Sequence, residues 1–298
     1  MPSEGGYRYR SEDRESARAD AIGPANPSVV LTAVREDIRQ TLRTGWVDPA
    51  LEAAASNAVF FTAAWSAVRP NVGKSFISLA RALRAEAADS AARLWEVPDV
   101  RKRLELELSE EELHRVEESA RAAHLAMAKT QVVVHALYRT LRRERLPGTG
   151  REESPIRRGV PEWQRWMTFQ PASESARLVL DEAVDQFGLP AQPTPLRLLA
   201  RWPAALSALW RDLRPAWGTK EWTTAAGRLR RIVLAGMSTL PHPVALQWAA
   251  LRARGFGEED RLRLLETMAG HDAAMPSQTL AAAFAWQALG APDVGSEG

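Results

Sequence analysis

A repeated hexapeptide constrains this chain more than any other feature. Trp65-Ser66-Ala67-Val68-Arg69-Pro70 returns as Trp210-Arg211-Asp212-Leu213-Arg214-Pro215, 145 residues later in a chain of 298. Self-similarity at about half the chain length implies that one supersecondary unit was duplicated. The same offset pairs Val34, Ile38 and Leu42 with Val179, Ala183 and Phe187. One inserted residue later, Phe76 pairs with Trp222 and Leu83 with Leu229. At an offset of 148, Met127 pairs with Met275, Tyr138 with Trp286 and Leu141 with Leu289. A drift of three residues is easily absorbed in loops. Any site is expected where the two copies meet.

The spacing inside each copy is helical. Val34, Ile38 and Leu42 fall on one helix face. Gly45 ends that helix. Asp48-Pro49 opens the next, Asp being a good N-cap and Pro being tolerated at the first helical position. This helix is expected to run through Leu51 and Ala55 to Trp65, until Pro70 interrupts it. A third covers Phe76 to about Trp95. Ser109 with Glu110, Glu111 and Glu112 has the cap and first-turn acids of a helix start, and a last helix spans about Met127 to Arg143. In the second copy Pro193-Thr194-Pro195 opens a helix carrying Leu196, Leu199, Trp202 and Leu206 to Trp210. Pro215 is expected to break it. His271-Asp272, just before Met275-Pro276, is placed at the start of a C-terminal helix. No segment alternates with a period of two. The expected fold is all-α: two tandem helical repeats packed as a pseudo-twofold pseudo-dimer. The expected boundaries are a disordered tail at 1–27, a first repeat at 28–143, a linker at 144–173, a second repeat at 174–292 and a frayed tail at 293–298. The linker holds Trp163, Trp166, Met167 and Phe169, so it should pack on the body.

Composition excludes several function classes. There is no Cys, hence no disulfide, thiolate nucleophile or Cys-bound zinc. The five His residues form no His-x-x-x-His pair, so no metal is expected, and no cofactor signature is present. Lys and Arg number 39 against 37 acids, a balance that gives no global field for nucleic acid. No apolar run reaches the roughly 18 residues of a membrane span, and residues 1–27 lack the apolar stretch of a signal peptide. These features point to a cytoplasmic protein with a small-molecule partner and no nucleic-acid or membrane partner. A homodimer is the remaining partner class to test.

The order of motifs carries a resemblance. Val47-Asp48-Pro49-Ala50-Leu51-Glu52-Ala53-Ala54-Ala55, Leu196-Arg197-Leu198-Leu199-Ala200-Arg201-Trp202-Pro203 and the two Trp-to-Pro hexapeptides resemble the group I, stereo-non-selective 2-haloacid dehalogenases over roughly residues 30–290. The resemblance implies an all-α pseudo-dimer with a buried site between its halves. It implies an Asp that activates water to displace halide from the α-carbon of small 2-haloacids, of either hand, without an ester intermediate. That Asp belongs to an Asn-Ser-Asp-Tyr-Arg-like turn, aligned here with Pro193-Thr194-Pro195-Leu196-Arg197. Pro195 stands where the Asp is expected, Pro193 where the Asn is, and Arg197 is kept.

Proline offers no proton acceptor and no amide donor, and loss of a general base costs on the order of 10²–10⁴ in rate. Ordinary hydrolytic dehalogenation is therefore doubtful. The expected function is a divergent homologue with an inter-repeat cavity for a small organic ligand, carboxylate or apolar. One alternative is an active dehalogenase using a displaced carboxylate, Asp48 or Asp272, with His271 beside the latter. Another is a non-enzymatic helical interaction module. Thr194, Pro195, Arg197, Trp202, Trp65 and His124 are the candidate ligand-binding residues. Each has a structural reading beside it: Asp48 as an N-cap, the His residues as packed caps, the Trp residues as core.

Overall fold

The chain is described by a computed structural model covering residues 27–154 and 156–290. The two expected tails therefore lie outside the described residues, apart from Pro27. All the regular elements among the described residues are helices, with one isolated antiparallel bridge between Leu146 and Val244. The first part holds α1 (Pro27–Leu42), α2 (Pro49–Ala54), α3 (Ala58–Val68), α4 (Lys74–Leu94), α5 (Val100–Leu104) and α6 (Glu110–Leu141). The second holds α7 (Glu174–Phe187), α8 (Thr194–Arg197), α9 (Pro203–Ala216), α10 (Lys220–Gly236), α11 (Trp248–Ala253) and α12 (Glu258–Ala288).

Helices α6 and α12 form the axis of the molecule. At 1.5 Å per residue each is about 45–50 Å long. Every residue of α6 from Ala122 to Leu137 is buried, as is every residue of α12 from Gln278 to Ala285. A helix wrapped on all sides must lie at the centre. Small residues allow it: Ala122, Ala123, Ala126 and Ala128 on α6 and Ala281, Ala282, Ala283 and Ala285 on α12 let neighbouring backbones approach. The pair runs antiparallel, since His124 meets Trp286 while His135 meets Asp272.

Several expected helices are redrawn by local chemistry. The helix expected from Pro49 to Trp65 is two, because the Asn57 side chain caps the Phe60 amide at 3.0 Å and starts α3 afresh. The helix expected from Thr194 to Trp210 is also two, because Pro203 opens α9 at its first turn. Pro215 does not break α9 but sits in its last turn. The two helices expected around Ser109 and Met127 are one, as nothing between Ala123 and Met127 can stop a helix; a Ser109–Glu112 capping box starts it. Likewise α12 runs through Pro276, so His271 and Asp272 lie inside a helix and not at its start. Pro276 has no amide proton for the Asp272 carbonyl, one backbone bond fewer than a regular helix makes.

Features of like build recur at the offset of the sequence repeat. Trp65 donates its Nε1 proton to Asp37 at 2.8 Å, and Trp210 donates to Glu182 at 2.9 Å. Helix α1 stops at Arg43, φ 58°, with the Thr44 amide on the Arg39 carbonyl; α7 stops at Gly188, φ 57°, with the Leu189 amide on the Val184 carbonyl. Both are left-handed helix stops. The Gln164 and Met167 part of the expected linker lies against the body. A Cβ on Gly45 would stand 2.3 Å from the Gln164 carbonyl oxygen, and Met167 is buried.

Candidate functional site

The start of α8 meets the start of α2. Asp48 is 4% exposed; its Oδ1 accepts the Ala50 amide at 2.9 Å and its Oδ2 accepts the Thr194 hydroxyl at 2.7 Å. It thus caps α2 and braces α8 at the same time. Burial pushes its carboxyl above the usual range, opposed by the Ala50 amide, the Thr194 hydroxyl and the Arg197 charge. Thr194 is fully buried, and its amide donates to Gln278 Oε1 of α12 at 3.2 Å. Pro195 is buried beside it, on the second residue of the four-residue α8. The turn that the resemblance assigns to a water-activating Asp therefore holds a proline, and its neighbour's hydroxyl is spent on Asp48.

A second polar group lies along the α6–α12 contact. The His135 ring Nδ1 stands 2.9 Å from Asp272 Oδ1, with both side chains buried. Facing a carboxylate, Nδ1 is the donor. The ring Nε2 is buried and has no hydrogen-bond partner among the described residues. Arg230 of α10 lies 3.6 Å from the other Asp272 oxygen. Towards the middle of the pair, the Thr279 hydroxyl donates to Gln131 at 2.7 Å. Beyond it, His124 stacks on Trp286, ring centres 4.7 Å apart and planes within 4°. Burial, aided by the Arg84 charge, pushes His124 down to about 3. Burial also lowers His271, the neighbour of Asp272, below its ordinary value.

The sequence candidates do not gather at one point. Thr194, Pro195 and Asp48 are together. Asp272 is with His135. His124 is at the far end of the same helix pair. Arg197 lies over the Phe169 ring at 4.5 Å, and Trp202 meets Trp166 edge-on at 6.0 Å, so both face the linker. Trp65 is occupied by Asp37. Arg197 and Trp202 share a hollow of only about 10 Å³, room for about one water. Arg197 also lines a larger surface groove of about 580 Å³ with Pro49 and Glu52, and a cavity of about 420 Å³ lies under the linker. Among the described residues no three His, Asp or Glu side chains converge as a metal would need, and no helix is long and apolar enough to cross a membrane.

Sequence reasoning missed His135, Gln131, Gln278 and Arg230. A signal existed for one of them. The offsets of 146 and 148 that pair Phe76 with Trp222 and Met127 with Met275 also map Arg84 and His124 onto Arg230 and Asp272.

The sequence matches no family profile and no curated protein. Solved structures do match. A D-2-haloacid dehalogenase mutant in complex with D-2-CPA superposes with a TM-score of 0.79 at 17% identity, covering 90% of this chain and 93% of that one. A D-2-haloacid dehalogenase in complex with L-LA gives 0.79 at 18%, covering 89% and 93%. At such identities the fold is what is shared: this chain has the all-α fold of the D-2-haloacid dehalogenases.

Proposed function

We propose that this protein is a divergent relative of the 2-haloacid dehalogenases that binds a small organic molecule, carboxylate or apolar, between two like helical halves, and that it does not hydrolyse 2-haloacids through position 195. The observation that carries this reading is the turn itself. Pro195 supplies no base. The nearest carboxylate in that cluster, Asp48, has each oxygen engaged by a protein donor. Both oxygens of that carboxylate are held in structural bonds, one as the cap of α2 and one to Thr194. The duplicated Trp–carboxylate bonds and helix stops support the reading of two halves; the boundaries 28–143, 144–173 and 174–292 belong to the same proposal.

The test is halide release from D- and L-2-chloropropionate. The expected result is release at the uncatalysed rate with both enantiomers, together with a rise in thermal stability on adding the unreactive propionate. Release that disappears in Asp48→Asn would overturn the reading and install Asp48 as the base.

A second reading is favoured by one specific observation, the unpartnered Nε2 of His135. A His oriented by a carboxylate, with its second nitrogen open, is the arrangement of a general base. Under this reading Asp272 is a positioning residue and His135 accepts the proton from water. Halide release that survives Asp48→Asn, is lost in His135→Gln and falls with an acidic limb in its pH profile would favour it over the first.

A further inference from the structure

Half-buried Arg197 is the one charge in the surface groove that lacks a paired counter-charge among the described residues. The groove of about 580 Å³ is lined by α1, by the start of α2, by Phe169 and by Arg197 of α8. Both glutamates in its walls are already taken. Glu52 accepts three hydrogen bonds from Arg35, at 2.7, 2.9 and 3.0 Å. Glu36 accepts Arg39 at 3.0 Å and Gln40 at 2.5 Å. Arg197 makes no hydrogen bond and no ion pair among the described residues. The Asp48 carboxyl feels its charge but gives its two oxygens to Ala50 and Thr194.

The sequence register makes the missing partner visible. At the offset of 145 that pairs Trp65 with Trp210, Glu52 matches Arg197 and Arg35 matches Leu180. Where the first stretch has an ion pair, the second has an arginine and a buried leucine. What Arg197 does touch is a ring: its guanidinium carbon lies 4.5 Å from the centre of Phe169. Attraction to a ring face consumes no N–H donor, so the guanidinium fork stays open to an anion. A planar carboxylate matches that fork with two parallel hydrogen bonds. Val47, Pro49 and the Phe169 ring supply apolar surface in the same groove.

We infer that this groove binds an aryl-substituted organic carboxylate, its carboxylate on Arg197 and its ring against Phe169, Val47 and Pro49. The inference rests on the proposal that a small molecule binds between the two parts, and narrows it. The groove meets that condition, because α1 and α2 belong to the first part and α8 to the second. A hollow of about 580 Å³ suits a ligand with a ring better than it suits propionate, being in the range of sites for drug-sized molecules.

Calorimetric titration of the full chain with phenylacetate, phenylacetamide and propionate tests the inference. Phenylacetate is expected to bind, with an affinity that falls as salt is raised. Phenylacetamide, neutral and of like shape, should bind at least about tenfold more weakly, a charge-assisted contact being worth about that factor. Propionate should also bind at least about tenfold more weakly, for want of the ring. Arg197→Gln should weaken phenylacetate by about tenfold or more, and Arg197→Lys by less, since an ammonium keeps the charge without the fork. Phe169→Leu should weaken it by about threefold. Absence of binding at millimolar phenylacetate, equal affinity for phenylacetamide, or an unchanged affinity in folded Arg197→Gln would overturn the inference. If Arg197→Gln does not fold, the comparison of acid with amide on the wild type decides. Propionate binding without phenylacetate binding overturns this inference and leaves the function proposed above standing. Phenylacetate binding lost in Arg197→Gln, beside halide release that depends on Asp48, supports this inference and overturns that one.

Discussion

Single residues in the centre of this protein carry charges and protons where water does not reach. His124 is the clearest case, held near 3 by burial against Trp286. Its folded value lies below the ordinary one, so the unfolded chain takes up the proton first. Stability from this residue is complete above about pH 6.5 and is lost as pH falls towards 3, by about 3 kcal/mol at pH 4. Asp48 acts in the opposite sense, because its raised carboxyl prefers the proton in the folded state. Urea unfolding of the wild type and of His124→Phe between pH 4 and 8 separates the two: the wild type should lose stability on acidification and the variant, which keeps the stack, should lose much less. Equal slopes would show that His124 titrates normally. The capping role of Asp48 was legible in Asp48-Pro49, since a cap is written in adjacent residues. Its bond to Thr194, 146 positions on, was not, because that contact exists only once the parts are packed. His135 was invisible for the same reason.

Helices were legible where their ends are marked. Ser109 with three following acids, Gly188 after an apolar stripe and Asp48 before Pro49 all mark true ends. Errors arose where a marker was overruled. Pro276 looks like a boundary, yet burial of Met275, Thr279 and Leu280 carries α12 straight through it. Asn57 and Pro203 look unremarkable in an apolar run, yet each starts a helix. The linker illustrates the reverse: its aromatic content announced that it would pack, but not onto what. Its docking depends on the bare backbone of Gly45, with the Gln164 and Met167 carbonyl oxygens 2.3 and 2.6 Å from where a Cβ would stand. Gly45→Ala should therefore lift the linker and destabilise the protein by about 1–3 kcal/mol, as overpacking does, and Trp166 fluorescence should move towards that of an exposed indole. An unchanged midpoint and spectrum would show that the linker shifts without loss.

At the scale of the molecule, one hydrophobic core extends from Ile38 to Leu289 with α6 and α12 running through it. The fold class could be read from the repeat and the 3.6-residue spacing, while the lateral contacts between elements could not. The feature with the widest consequence is the set of unlike partners along the central pair: Gln131 with Thr279, His124 with Trp286, His135 with Asp272. Were α6 to meet a second α6, histidines would face histidine or tyrosine and no carboxylate would be at hand. Were α12 to meet itself, Asp272 would lose its imidazole. On the proposal that the two halves arose from one unit, a self-complementary pairing, in which one patch meets its own copy, would here have given way to unlike partners. Cutting the gene inside residues 144–173 should thus yield two fragments that are insoluble or unfolded when made singly and that assemble one-to-one when coexpressed, a composition that native mass spectrometry would read directly. Soluble homodimers of either fragment would show that the halves have kept their mutual interchangeability.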